Sequence, residues 1–223
     1  MNKRTMKKGL AIVLALVMVF AMTATAFAET TPSGNVTVSV MQNNFDLSGN
    51  YVGNGSNVPI GTDEEGNSRY IANFIVPIST VESNIANGYK DLYLPAETTD
   101  PMDGAASVLD AIIAALDLNG VTDFDTGWDP TNLPEYGLTP GGYIHNINSD
   151  GRVSNTVTYF EGTNGNKWGR SVGSGWNVAY GTGSALSKAN VYTSNIPLTA
   201  GMHIVIDISA FDMTWDTYTP WTE

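Results

Sequence analysis

One segment near the middle of the chain has the apolar spacing of an α-helix, and it limits the folds that the rest can adopt. The segment is Asp100–Gly120, DPMDGAASVLDAIIAALDLNG. Asp100 is expected to cap this helix, and Asn119 with the following glycine to end it. Asp110 is expected on the side opposite the apolar face. That face, which should lie on a sheet, consists of Ala105, Val108, Leu109, Ile112, Ile113 and Leu116.

The segments before this helix are typical of short strands. Asn35–Met41 alternates valine with polar residues, which is the period of a half-buried strand. Arg69–Ser79 is a second expected strand, with Pro77 near its end, and Lys90–Glu97 (KDLYLPAE) is a short third one. The residues between the first two, 42–68, are rich in Asn, Gly and Ser, so we expect a long loop or an irregular hairpin there.

Four more strands are expected after the helix, namely Gly141–Asn148, Val153–Gly162, Gly175–Gly181 and Gly201–Phe211. NSDGR, residues 148–152, predicts the turn between the first two of these strands. NVYTSNIPL, residues 190–198, is expected to be a polar extended link. Strands on both sides of one helix predict an α+β fold, in which the helix packs across one face of a mixed sheet.

The N-terminus has the three parts of a secretory signal peptide. A basic start with Lys3 and Arg4 precedes the apolar run Leu10–Ala26, and Ala26-Phe27-Ala28 is a small-x-small cleavage site. A membrane anchor is the alternative, but the apolar run is short for a span and ends in the cleavage pattern. We therefore expect a signal peptide at 1–28, a domain at 29–210, an aromatic tail at 211–223, and a secreted protein without membrane insertion.

Charge and cysteine content narrow the compartment and the partners. The chain has 22 acidic and 10 basic residues, with a formal net charge of −12. Such a surface repels nucleic acid and anionic membranes. The chain has no cysteine, so it has neither disulfides nor a lipid-modified cysteine, which suits export from a bacterium.

No catalytic, nucleotide-binding or metal-binding signature is convincing. GTGSAL, residues 181–186, follows an expected strand but lacks the third glycine of a dinucleotide fingerprint. The two histidines, His145 and His203, are too far apart for a recognisable zinc motif. Three acidic segments, at 62–68, 122–129 and 146–151, lack EF-hand spacing and are interpreted as solvated turns. We expect a protein that is not an enzyme and holds no metal.

Several short motifs occur in an order that resembles the transcobalamin-like C-terminal domain family. This family is a β-grasp-like module of vertebrate cobalamin carriers and of many secreted bacterial proteins. The matching residues are Ser107–Ala111, Gly142–Ile144, Gly175–Trp176, and Leu198 with Gly201. The resemblance covers about residues 35 to 209, with a long insertion before the helix. It implies a β-grasp-like fold and cobalamin or another corrinoid as a ligand.

Aromatic residues on the later strands and their connecting loop are the candidate ligand-binding residues, since flat rings stack on a sugar or a macrocycle. They are Tyr143, His145, Trp168, Trp176 and Tyr180. Rings also build β-sheet cores, so Trp176 is either a platform or a core residue, and Trp168 is expected on a glycine-flanked loop. The sequence thus predicts a secreted, non-catalytic small-ligand module. An adhesion, glycan-binding or structural assembly module is the alternative.

Overall fold

The computed structural model describes residues 34–132, 139–149, 152–161 and 167–216, which all belong to one compact unit. The expected signal peptide at 1–28 and the last part of the expected tail, 217–223, lie outside the described residues. So do residues 150–151 of the expected turn and residues 162–166. The described part is a mixed α+β structure with a mostly sheet core and two helices.

The strands are, in chain order, β1 (Asn35–Gln42), β2 (Ser56–Asn57), β3 (Pro59–Thr62), β4 (Ser68–Tyr70), β5 (Phe74–Pro77), β6 (Phe124–Asp129), β7 (Gly141–Ile147), β8 (Ser154–Glu161), β9 (Lys167–Thr182), β10 (Ser187–Lys188) and β11 (Met202–Asp216). The helices are α1 (Ile78–Ala86) and α2 (Val108–Leu118), with 3₁₀ turns at Tyr89–Leu92 and Thr193–Asn195.

The main sheet has β9, β11 and β1 at its centre. β1 and β11 are parallel, whereas β9 is antiparallel to β11. β8 and β10 pair with β9, and β2 and β5 pair with β1. Two hairpins, β3–β4 and β6–β7, form separate small sheets. The expected mixed sheet is therefore present, and α2 contacts both β1 and β11.

Helix α2 is buried along most of its length, which differs from the expected half-exposed helix. Every residue from Val108 to Leu116 is buried, because α1 and β7 contact the helix in addition to the sheet. The prediction that Asp110 faces solvent is therefore wrong: its side chain is 3% exposed. The predicted end of the helix at Asn119 is correct, and Gly120 follows with a φ of +66°.

The helix begins later than expected, because Ser107 rather than Asp100 is its N-cap. The Ser107 side chain accepts a hydrogen bond from the Asp110 amide, and the Asp110 carboxylate accepts one from the Ser107 amide. Asp100 instead closes a turn, where it accepts bonds from the amides of Met102 and Gly104 and from Lys90 Nζ. A loop therefore occupies the first turn of the predicted helix.

Helix α1 lies where the sequence predicts the end of a strand. The expected strand Arg69–Ser79 divides into β4 and β5, and Pro77 becomes the N-cap of α1 with φ −65°. This φ is the value that the proline ring imposes, so the chain can turn into a helix directly after it. The predicted strand at Lys90–Glu97 is also wrong, since a 3₁₀ turn occupies Tyr89–Leu92.

The last long strands extend well beyond their predicted ends. β9 has 16 residues and β11 has 15, and residues 168–182 of β9 pair with 202–216 of β11 without interruption. The predicted glycine-rich loop around Trp168 is therefore part of a strand. The first residues of the predicted tail, 211–216, likewise belong to β11. Among the described residues, no helix is long and apolar enough to cross a membrane.

Candidate functional site

A cavity of about 310 Å³ lies between β7, β9 and the segment of residues 189–193. Two of the predicted binding residues, Tyr143 and Trp176, line it. The cavity is the strongest candidate site in the described part of the chain, since it combines aromatic walls, an aliphatic floor and a few polar groups. Such a combination is typical of pockets for small molecules.

The floor of the cavity follows from the alternation of β9 and β11. Val178 lies directly opposite Ile206, and both line the cavity together with Ile144 of β7. Residues that are directly opposite in an antiparallel pair share a face of the sheet. Trp176 lies two residues before Val178 and points to the same face. The sheet thus places an indole ring beside an aliphatic surface.

Two tyrosines form the opposite wall. The rings of Tyr143 and Tyr192 are 5.7 Å apart with planes inclined by 30°. Tyr143 lies tightly over Gly127 of β6, where an added Cβ would come within 2.5 Å of the tyrosine Cζ. A side chain at this position would push the tyrosine ring aside, and the two residues lie opposite each other in the β6–β7 register.

The hydroxyl of Tyr192 already has a partner within the protein, because it donates a hydrogen bond to the Asp129 carboxylate. Burial and this hydrogen bond raise the pKa of Tyr192 to about 12. The same carboxylate accepts a bond from the Thr131 amide, and bonds from Thr131 and Tyr192 lower the pKa of Asp129. Tyr192 is therefore neutral near pH 7, and it offers the cavity a ring rather than a charge.

Two polar atoms of cavity-lining residues have no hydrogen-bond partner among the described residues. They are Trp176 Nε1 and Thr193 Oγ1, and both atoms are buried. Thr193 is 6% exposed as a whole. Leaving a buried polar group without a partner costs about 1–3 kcal/mol, so each such group needs an explanation. The indole N–H can only donate, whereas the threonine hydroxyl can donate and accept.

The cavity is uncharged, because none of the described residues that line it is ionisable to a charged form near neutral pH. The other polar side chains among its lining residues are the amide of Asn190 and the hydroxyls of Thr139 and Tyr143, whereas the Asn177 side chain lies on the opposite face of β9 from Trp176 and Val178. A positive charge lies over one lining ring, since Arg152 Cζ is 5.9 Å from the centre of the Trp176 ring. The chemistry of the walls favours an uncharged ligand with polar substituents.

The other three predicted binding residues do not line this cavity. His145 is exposed, and the irregularity in the β6–β7 register leaves it without an opposite residue in β6. Its ring lies 6.4 Å from that of Tyr143. Tyr180 is half-buried and packs against the hydrophobic core. Trp168 lies on the distant part of β9 and stacks on Phe160 at 3.9 Å. The five residues therefore do not form one surface.

Sequence reasoning missed Tyr192 and Thr193, which belong to the segment that was expected to be a polar link. This segment is partly a 3₁₀ turn that packs against β7 and α2. The isolated aromatic residue in a polar segment was the available signal for Tyr192. No local signal exists for Thr193, because its burial depends on residues far away in the sequence.

The described residues offer no set of three or more His, Cys, Asp or Glu side chains that could hold a metal ion. The acidic turn around Asp63 uses its carboxylate internally, since it accepts bonds from the amide and side chain of Asn67.

Searches against family models, curated proteins and solved structures find no match to this chain.

Proposed function

We propose that this protein is a secreted, non-catalytic binding module whose cavity holds one small, uncharged ring of a ligand. The aromatic walls supply stacking surfaces, and the Asn190 amide and the threonine hydroxyls supply hydrogen bonds at the margin. The leader pattern of residues 1–28 supports secretion. The central parallel pair β1–β11, with α2 packed across it, supports the β-grasp-like interpretation.

The proposal depends mainly on two polar atoms without a hydrogen-bond partner among the described residues, Trp176 Nε1 and Thr193 Oγ1. Both belong to residues that line the same cavity. Both atoms are closed to solvent in this structure, so a ligand reaches them when the side chains around them shift. An acceptor oxygen or nitrogen would then complete the hydrogen bond of the indole N–H. A hydroxyl or carbonyl group on the same ligand would complete that of Thr193. Binding would then remove two desolvation costs that the free protein carries.

The volume of the cavity limits the size of what enters it. About 310 Å³ is near the lower end of the range for ligand pockets, about 300–1,000 Å³. A single sugar ring or a planar heterocycle suits this space. A corrinoid, the ligand that the family resemblance implies, would enter with one edge or side group while most of the macrocycle stayed outside.

A binding screen with two conservative variants tests the proposal. The probes are neutral monosaccharides, uncharged heterocycles, cobinamide and cobalamin, each titrated by calorimetry. Trp176→Phe keeps a ring but removes the N–H, and Thr193→Val keeps the shape but removes the hydroxyl. For a probe that binds, each variant should weaken the affinity about five- to tenfold, which corresponds to about 1–1.4 kcal/mol for one hydrogen bond.

Trp168→Phe is the matched control, because its indole lies on another part of β9 and stacks on Phe160. It should bind the same probe with unchanged affinity. If a probe binds both cavity variants as tightly as the original protein, the assignment of the site to this cavity is wrong. If only cobinamide and cobalamin bind, and the cavity variants weaken them, the corrinoid interpretation is favoured over the single ring.

The second candidate function, an adhesion, glycan-binding or structural assembly module, is favoured by one separate observation. All eight residues of β8 are exposed, which is unusual for a strand that belongs to the main sheet. A surface of this kind suits contact with another chain.

A further inference from the structure

Within the described residues, strand β8 lies at an edge of the main sheet. Its eight residues pair with β9 in continuous register, from Ser154 opposite Ser174 to Glu161 opposite Lys167. No described strand pairs with its other side. In an antiparallel pair, alternate residues direct their N–H and C=O groups away from the partner strand. The outer side of β8 therefore carries a row of backbone donors and acceptors that another strand can use.

The usual features that prevent edge pairing are missing from β8. Natural edge strands are short, or carry lysine, proline or a bulge, or lie beneath a loop or helix. The sequence SNTVTYFE contains no lysine, arginine or proline. Its register with β9 has no shift, and every residue is exposed. Val157 and Phe160 are 42% and 37% exposed, so the strand also keeps apolar side chains in water.

Charge indicates which partner the edge accepts. The chain has a formal net charge of −12, so most of its surface repels a second copy of itself. β8 carries one charged residue, Glu161, at its very end. In an antiparallel pair of two β8 strands, this end lies beside the beginning of the other strand. The two Glu161 side chains are then far apart, and the pair forms without a clash of like charges.

The sequence of β8 also complements itself when two copies are aligned with matching faces. With Thr158 opposite its own counterpart, Val157 lies opposite Tyr159 and Thr156 opposite Phe160. In this register Asn155 lies opposite Glu161. Pairs of an aromatic with a β-branched side chain, and of two threonines, stabilise antiparallel sheets. Each apolar side chain of β8 thus gains a cross-strand neighbour.

We propose that β8 is a self-association edge, which pairs antiparallel with β8 of a second copy and joins the two main sheets into one. The two copies are related by a two-fold axis, and each uses its own β8 edge. No β8 edge is then left for a third copy, so the association stops at a dimer. This proposal does not depend on the cavity or on its ligand.

Sedimentation equilibrium of the purified protein over a range of concentrations tests the proposal. The key variant is Thr158→Lys, which places two lysines at the two-fold axis. The matched control is Val172→Lys on β9, because Val172 is exposed but paired on both sides, with Thr156 of β8 and with Asp212 of β11. Both substitutions add one positive charge to the same face of the sheet, since Val172 lies two residues from Arg170, the residue opposite Thr158. Only Thr158→Lys lies on the β8 edge.

The original protein and Val172→Lys should form dimers as the concentration rises, whereas Thr158→Lys should stay monomeric. Backbone amides of residues 154–161 should exchange more slowly with solvent at high than at low concentration in the original protein and in the control variant, but not in Thr158→Lys. Circular dichroism of both variants confirms that they are folded. A protein that is monomeric at every concentration contradicts the proposal. A dimer that persists in Thr158→Lys, or an open-ended oligomer, contradicts it as well.

Discussion

Ser107 and Asp110 bind each other's backbone at the start of α2. The Asp110 Oδ2 atom accepts bonds from the Ser107 amide at 2.8 Å and from its hydroxyl at 2.7 Å, and the Ser107 hydroxyl accepts from the Asp110 amide at 3.3 Å. Tyr93 donates to the other carboxylate oxygen at 3.0 Å. This buried capping box fixes the point at which the central helix enters the core.

Asp110→Ala should destabilise the protein by about 2–4 kcal/mol. The estimate combines a lost cap, worth about 1 kcal/mol, with the cost of leaving the buried Tyr93 hydroxyl and Ser107 amide without a partner, about 1–3 kcal/mol. Asp117→Ala, at an exposed position of the same helix, should cost under about 1 kcal/mol. Urea unfolding of both variants gives the values, and equal small losses would contradict the buried capping box.

The same carboxyl should leave a signature in the pH dependence of stability. Burial is the main cause that raises the pKa of Asp110, so the native protein keeps this proton at pH values where the unfolded chain, with a pKa of about 3.9, has released it. The native state then binds more protons, and the stability contributed by this group falls as the pH rises toward its native pKa.

Asp110→Asn removes this titration while keeping the shape of the side chain. As the pH rises from about 4, the original protein should therefore lose unfolding free energy that the variant keeps, so the variant becomes more stable relative to the original protein. Unfolding in urea at several pH values gives this difference. Two parallel pH profiles would show that the proton on Asp110 does not contribute.

Leu109→Ala should destabilise the protein by about 2–5 kcal/mol, as other large-to-small changes in a core do. Leu109 is fully buried, with 0% exposure, and it lies close beneath Gly142 of β7. Thermal or urea unfolding measures the effect. A loss under about 1 kcal/mol would mean that α2 is not a core element.

Thr193→Val should leave the free protein as stable as before or more stable by up to about 1 kcal/mol. Its hydroxyl has no partner in the described structure, so a methyl group of the same shape loses no hydrogen bond. The neighbouring Ser194 is the contrast, because its hydroxyl accepts a bond from the Gly142 amide at 2.7 Å. Ser194→Ala should cost about 1–3 kcal/mol. Thermal unfolding of both variants without ligand makes the comparison, and a destabilised Thr193→Val would reveal a partner within the protein.

Periodicity in the sequence predicts the strands in which the buried residues follow a regular spacing along the chain. β1 alternates buried Val36, Val38 and Val40 as expected, and the expected strand at Gly141–Asn148 matches β7 within one residue. Trp176 and Val178 also share a face as expected, opposite the isoleucines of β11. In each case the apolar face is visible in the local sequence, although Ser39 on the other face of β1 is buried as well.

The errors occur where distant contacts decide the environment. Asp110 has the spacing of a solvent-facing position, but a second layer covers that side of α2 and the carboxylate serves as a cap. Pro77 was interpreted as the end of a strand, while it also begins a helix. Thr193 has no local signal at all. The cavity could not be predicted in full, since it forms between strands and a 3₁₀ turn that are distant in the sequence.

The indole N–H resonance of Trp176 gives the most direct test of the binding cavity. A nitrogen–proton correlation spectrum shows the N–H groups of the five tryptophans, and Trp176→Phe identifies the signal by its loss. The ligand selected by the calorimetric screen should shift this signal downfield, as expected for a new hydrogen bond, and leave the Trp168 signal in place. A ligand that binds and leaves the Trp176 signal unchanged would contradict the proposed site.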